Sequence, residues 1–300
     1  SRVLGKMFSC CRPRSISGST LANMANTMMP ALFVNHGGGP MPVLGQQPEV
    51  KDFLSEYGEK LKQGTLPKAI LVITAHWEDR QVSVSSGKSH SLIYDYSGFP
   101  SESYSLKYPA PGEPSVAEEA VRLLKEAGIE VRSNDRRGWD HGVFIPMLCM
   151  LPEAEVPIVQ MSLVAGQDPK THWDMGVALR PLREQGVLIV GSGLSFHNFK
   201  YFFARDGRSQ EEGRKHSQAF AAWLTDTVTN PDLSPKEREE RLLKWQSAPS
   251  ASECHPRGGA EHFMPFFAVA GTAHGAPGVE VGKEYGEMMG LVVNQYEFLN

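Results

Sequence analysis

Cysteine is scarce and scattered in this chain of 300 residues. Cys10, Cys11, Cys149 and Cys254 are too few and too irregularly spaced for a disulfide framework or a CxxC metal site, and such usage fits a reducing compartment. No apolar run approaches the ~20 residues that a membrane helix requires, so the body of the protein is expected to be soluble. An excess of positive charge is also missing. With 30 basic and 34 acidic residues, a net charge of -4 and no basic stripe, nothing stands out to neutralise phosphates, which argues against nucleic acid as the partner. There is no internal repeat, no low-complexity tract and no compositional break that would mark a linker. At 41% hydrophobic and 21% charged, the composition is that of an ordinary globular chain with a substantial core.

One composition shift does occur, at the start. Residues 1–28 carry Arg2, Lys6, Arg12 and Arg14, several serines and no acidic residue, a pattern resembling part of a transit peptide. The expectation is a disordered or vector-derived leader with the natural start near Met24, Met28 or Met29, followed by one domain over 29–300. The expected location is cytoplasmic, with mitochondrial import as the alternative that the leader raises.

What the chain does contain is a set of short apolar runs that each end at a histidine. Ala69 to Glu78, AILVITAHWE, reads as a buried strand with His76 just past its end. Ala31 to Val34 leads into Asn35-His36-Gly37-Gly38-Gly39-Pro40, and Val187 to Val190 leads into Gly191-Ser192-Gly193 and then His197-Asn198. Open α/β sheets collect their sites at strand carboxyl ends, where loops converge. Further strands are expected at Gln81–Ser85, His90–Tyr94, Ile129–Arg132 and Val156–Leu163. Helices are expected over Val50–Leu61, from Pro114 to Gly128, from Asp168-Pro169 to Glu184, over Gln210–Thr229 and after Ser234-Pro235. This alternation predicts a single-domain layered α/β fold, with a central mixed, largely parallel sheet flanked by helices, whose strand carboxyl ends are where a ligand or metal site would lie.

Ten histidines occur, and any one of them alone is more often structural than a ligand. His36, His76, His141, His197, His255 and His262 stand apart because each lies at a strand end, in a glycine-flanked turn or beside proline. Their signal is distributed, matching neither a zinc finger nor an HExxH helix, and spacing leaves a metal site and ordinary structural histidines both open.

Taken together, Asn35-His36-Gly37, Ala75-His76-Trp77, Tyr94 to Pro100, Trp139-Asp140-His141-Gly142, Gly191-Ser192-Gly193 with His197-Asn198, and His255-Pro256 with Glu261-His262-Phe263 resemble, in order, the motifs of the class III extradiol ring-cleavage dioxygenases. Within that superfamily they look most like the 4,5-DOPA extradiol branch, over roughly residues 29 to 299. The resemblance implies His36, His76 and His262 as metal ligands, His197 as a fourth residue at the metal, and His141 and His197 as the catalytic acid/base groups. It implies a small aromatic catechol and dioxygen as substrates, opened to a muconic semialdehyde. Trp77, Tyr96, Asn198 and His255 are the candidate substrate contacts. The cofactor expected for this activity is Fe(II), and an all-histidine site also suits Zn(II). Two other classes remain open: a zinc-dependent hydrolase on the same scaffold, and a non-catalytic, Memo-like binding protein.

Overall fold

The computed structural model describes residues 28–300, apart from the side chain of Tyr285. The expected leader lies outside the described residues. The first half of the chain forms β1 (Ala31–Asn35), α1 (Pro48–Gln63), β2 (Ala69–Asp79), β3 (Val82–Ser85), α2 (Pro114–Glu126), β4 (Val131–Asn134) and α3 (His141–Met150). The second half forms β5 (Ile158–Val164), α4 (Pro169–Glu184), β6 (Val187–Gly193), α5 (Phe199–Phe202), α6 (Gly207–Thr229), α7 (Pro235–Leu243), α8 (Ala251–Cys254), α9 (Met264–Gly271), β7 (Val279–Val281), β8 (Glu287–Met288), β9 (Leu291–Val292) and β10 (Gln295–Phe298).

Local chemistry sets many of these boundaries. Val50, Phe53, Leu54, Tyr57 and Leu61 bury one stripe of α1, the spacing that an amphipathic helix demands. Asp168 accepts the N–H of Thr171 at the start of α4, and Ser234 with Glu237 closes a reciprocal capping box on α7, each satisfying donors that a helix start leaves unpaired.

Eight strands form one sheet in the order β4-β3-β5-β2-β6-β1-β10-β7. Its centre, β5-β2-β6-β1, is parallel, while β3 meets β5, and β10 meets β1, antiparallel. Ala31–Asn35 and Val187–Gly193 are buried along their whole length, as expected where helices cover a parallel sheet. Helix α9 packs on α4 and on β6, and α3 packs on α1 and on β2. Among the described residues no helix is long and apolar enough to cross a membrane.

Three expectations need correction. His90–Tyr94 is not a strand: it makes one bridge, Leu92 to Trp139, because its backbone groups pair only with that loop. The apolar run Val143–Leu151, for which the sequence predicts only burial, falls largely within helix α3 (His141–Met150), apolar on all sides because nearly all of it is buried. His76 lies inside β2 rather than beyond it, at a shift in register against β5 between Ile73 and Glu78. A bulge of this kind bends the strand and re-aims its side chains.

Candidate active site

β1 delivers the first histidine. His36 follows the last residue of the strand and is fully buried. On the adjoining strand β6, Ser192 gives its only proton to the carbonyl of Gly142. Its oxygen must then accept from Nδ1–H of His36, 2.9 Å away, so that ring carries its proton on Nδ1 and a lone pair on Nε2.

That lone pair faces His76. The two Nε2 atoms are 3.1 Å apart, and Nδ1 of His76 looks toward Oδ2 of Asp95 at 3.7 Å, which favours a proton on that nitrogen too. Two lone pairs then oppose each other, an arrangement a cation between them would resolve. Nitrogens bound to one ion at ~2.1 Å stand ~3.0–3.4 Å apart, so the observed spacing fits a shared metal. Burial, and then the neighbouring imidazoles, hold both rings well below the ordinary histidine pKa, in the neutral form that ligation needs.

Behind His76 stands a closed support. Asp140, fully buried, accepts from Thr74 at 2.8 Å, from Arg137 at 2.9 Å and from Gln160 at 2.5 Å. Arg137 also donates to the His76 carbonyl at 3.2 Å and lies over the Trp77 ring at 4.6 Å. Asp140 therefore anchors the exit of β2 and the start of α3.

His262 arrives on a loop pressed against β6. Its carbonyl accepts the N–H of Leu194 at 2.8 Å, and a Cβ on Gly193 would sit 2.1 Å from that carbonyl, so only glycine permits the approach. Nδ1 of His262 donates to Oε1 of Glu261 at 2.8 Å, leaving Nε2 as its ligand atom. The ring lies 5.3 Å from that of His36 and 4.8 Å from that of His76. Burial pushes His262 down to about 4. His197 stacks on His262 at 3.6 Å and turns its Nδ1 to the same Glu261 oxygen at 3.2 Å. Burial alone would raise Glu261, but its bonds from His197 and His262 outweigh that and hold it below the usual carboxylate range.

His141 opens α3 only 3.9 Å from the ring of His76 and 5.5 Å from that of His36. Its backbone N–H donates to Oδ1 of Asp95 at 2.9 Å, and its Nδ1 is 2.9 Å from the same oxygen, off the N–H axis. Burial would raise Asp95 as well, but its contacts with His141 keep it low and ionised. Within each of two sets, His36-His76-His141 and His197-Glu261-His262, the ligand atoms lie within 4.8 Å of one another.

These groups line one cavity of about 560 Å³. Tyr96 and Phe99 form part of its wall, with Met41, Leu194, Phe202 and Met288. Three expected substrate contacts are not among the lining residues. Trp77 is buried under Arg137. Asn198 spends its side chain on the Lys200 N–H and the Glu253 carbonyl. His255, pushed down to about 3 by burial, holds the Ser195 carbonyl at 2.9 Å and stacks on Phe263. Gly142 makes room for Thr74, whose Oγ would be 2.6 Å from an added Cβ, so it serves packing within the chain. Sequence reasoning passed over Asp95 and Ser192, whose part is visible only once separate segments meet.

Fold and site together define an α/β protein with a histidine-rich cluster able to hold a metal at the carboxyl rim of its sheet. A family model described as the catalytic LigB subunit of aromatic ring-opening dioxygenase matches residues 29–298, and the chain belongs to this metal-dependent dioxygenase family. It is 42% identical over 262 residues to dioxygenase tasH of Hapsidospora irregularis, covering 82% of this chain and 79% of that one. It is 36% identical over 244 residues to 4,5-DOPA dioxygenase extradiol of Beta vulgaris, covering 80% and 85%. A crystal structure of an uncharacterised Escherichia coli K12 protein superimposes with a TM-score of 0.68 at 26% identity, covering 90% of this chain and 99% of that chain.

Proposed function

We propose that His36, His76 and His262 hold iron(II), with His197 beside them, and that the chain opens a catechol ring next to its hydroxyls to give a muconic semialdehyde. In that reaction one ring C–C bond breaks, both atoms of dioxygen enter the product, and the catechol is oxidised as dioxygen is reduced. The observation carrying this reading is the pair of opposed Nε2 atoms, 3.1 Å apart, at the wall of a mainly apolar cavity. Iron(II), when bound, supplies the one-electron redox chemistry that zinc lacks.

The remaining roles belong to the chain. A catechol must lose protons to chelate, and His141, with its Nδ1 beside the ionised Asp95, is placed to take one at Nε2. His197 is the second proton carrier, its other nitrogen held by Glu261. That carboxylate also fixes the tautomer of His262 and makes its Nε2 a stronger donor. Tyr96 and Phe99 keep the ring against the histidines and exclude water.

Anaerobic reconstitution with iron(II), followed by a panel of catechols with oxygen uptake recorded, tests the reading. Catechol-dependent uptake is expected with iron and not with zinc. Absence of uptake with every catechol, together with ester or amide hydrolysis by the zinc form, would establish the hydrolase instead. Tight catechol binding without either reaction would establish a binding protein.

A further inference from the structure

The cavity that receives the ring continues outward into an apolar lip. Phe199 and Phe203 stack on each other at 5.6 Å and are 60% and 69% exposed, with Met289 opposite at 51%. Exposed apolar side chains gathered at the mouth of a site mark a surface that a ligand covers. Residues of two separate segments build the lip. Phe199 begins α5 directly after the His197 loop, and Met289 with Gly290 turns the β8–β9 hairpin through two positive φ angles, 54° and 78°. None of the described residues lining the cavity is lysine or arginine. The charged side chains that do line it, Asp95 and Glu261, are both negative and already committed to histidines. Lys200, next to Phe199, is held by the Tyr201 hydroxyl at 3.0 Å.

Resting on the ring-opening reading above, we infer that the preferred substrate is a catechol bearing an uncharged, apolar substituent, which Phe199, Phe203 and Met289 receive. The carboxylate of an amino-acid catechol would lose water in this mouth and meet two carboxylates instead of a cation, a cost with no compensating partner. An alkyl or aryl substituent would cover the lip and gain its full burial. The cavity volume lies within the range of ordinary small-molecule sites and leaves room beyond a single ring.

Equilibrium binding to the zinc-loaded protein, which holds a catechol without consuming it, separates this inference from the reaction. Dissociation constants for catechol and its 4-methyl, 4-ethyl and 4-butyl derivatives should fall by about fourfold per methylene, while DOPA and 3,4-dihydroxyphenylpropionate should bind no tighter than catechol. Phe199→Ser should flatten the methylene series. Phe203→Arg, at an exposed position where folding is not at risk, should move the ratio of dihydroxyphenylpropionate to butylcatechol affinity by at least about tenfold toward the acid. A flat series in the unaltered protein, or DOPA binding tighter than butylcatechol, overturns the inference. So does a dimer in sedimentation that Phe203→Arg dissociates while the methylene series is absent, because the lip is then a subunit contact. If the binding series holds and the iron form consumes no oxygen, the inference stands and the ring-opening reading fails.

Discussion

The two poles of the central sheet both bury polar groups, and they treat them in opposite ways. At the amino pole of β1 and β6, the fully buried Arg183 donates to the carbonyls of Met29 at 2.7 Å, Phe298 at 2.7 Å and Asn300 at 2.8 Å, and reaches Thr272 at 3.2 Å. Each nitrogen of its guanidinium fork meets an acceptor, so this pole is closed on itself and ties the start of β1 to the end of β10. At the carboxyl pole the outer nitrogens of His36 and His262 are engaged from behind by Ser192 and Glu261, that of His76 faces Asp95, and the inner nitrogens of His36 and His76 confront one another. Buried polar groups satisfied within the chain hold structure. Buried lone pairs turned toward one another are positioned for something the chain does not itself supply.

The contrast can be broken from either end. Arg183→Met should be the most damaging to folding, about 3–5 kcal/mol, because it strands several buried carbonyls at once. Urea unfolding measures this, and metal bound per folded molecule should not change. A loss below about 1 kcal/mol would show that water replaces the guanidinium.

At the other pole, His141→Gln should retain its metal and lose about 10²- to 10⁴-fold in turnover, since glutamine keeps a hydrogen bond but carries no proton. Release of the metal would instead make His141 a ligand, a role its 3.9 Å approach to His76 leaves sterically open. Glu261→Gln should be milder. Removing the charge behind His262 and His197 should weaken metal affinity by about 10- to 100-fold, read by competition with a chelator. Unchanged affinity would confine Glu261 to packing.

How much of this could be read in advance varied with how local the signal was. Helix α4 could be read from Asp168-Pro169, and the buried strands of the sheet centre from continuous apolar runs, because both signals lie within a few residues. His36, His76 and His262 stood out by their strand-end and turn contexts, and the family motifs supplied their grouping. Trp77, Asn198 and His255 do not line the cavity, because adjacency to a site residue says little about direction. His76 and Trp77 are neighbours in one strand, and successive strand residues point to opposite faces. Nothing local announced that Met288 and Met289, near the end of the chain, would reach the cavity, since a two-residue hairpin carries almost no periodicity. Ser192 was invisible as a tautomer switch for the same reason, because its partners Gly142 and His36 come from distant segments.

A further expected effect concerns pH. His172 and His255 are buried away from the cavity wall and burial lowers both, His255 to about 3. Their folded pKa lies below the unfolded value of ~6.5, so below that pH the unfolded chain takes protons that the folded chain refuses. Stability is therefore full above ~6.5 and falls as the pH drops from there, for His255 down toward 3, by up to about 1.4 kcal/mol per pH unit for each such group. Urea midpoints at several pH values should show this slope, and His255→Gln should reduce it. A slope that survives the substitution assigns the effect to other groups.

The opposition of the poles is tested most directly by measuring metal content and unfolding free energy together in His36→Ala and Arg183→Met. The account predicts that His36→Ala loses its bound metal while the metal-free fold loses less stability than in Arg183→Met, since the lost bond to Ser192 is offset in part by removal of an opposed lone pair. Arg183→Met should do the reverse, keeping the metal and losing stability. Full metal occupancy in His36→Ala, or equal loss of metal and stability in both variants, would contradict it.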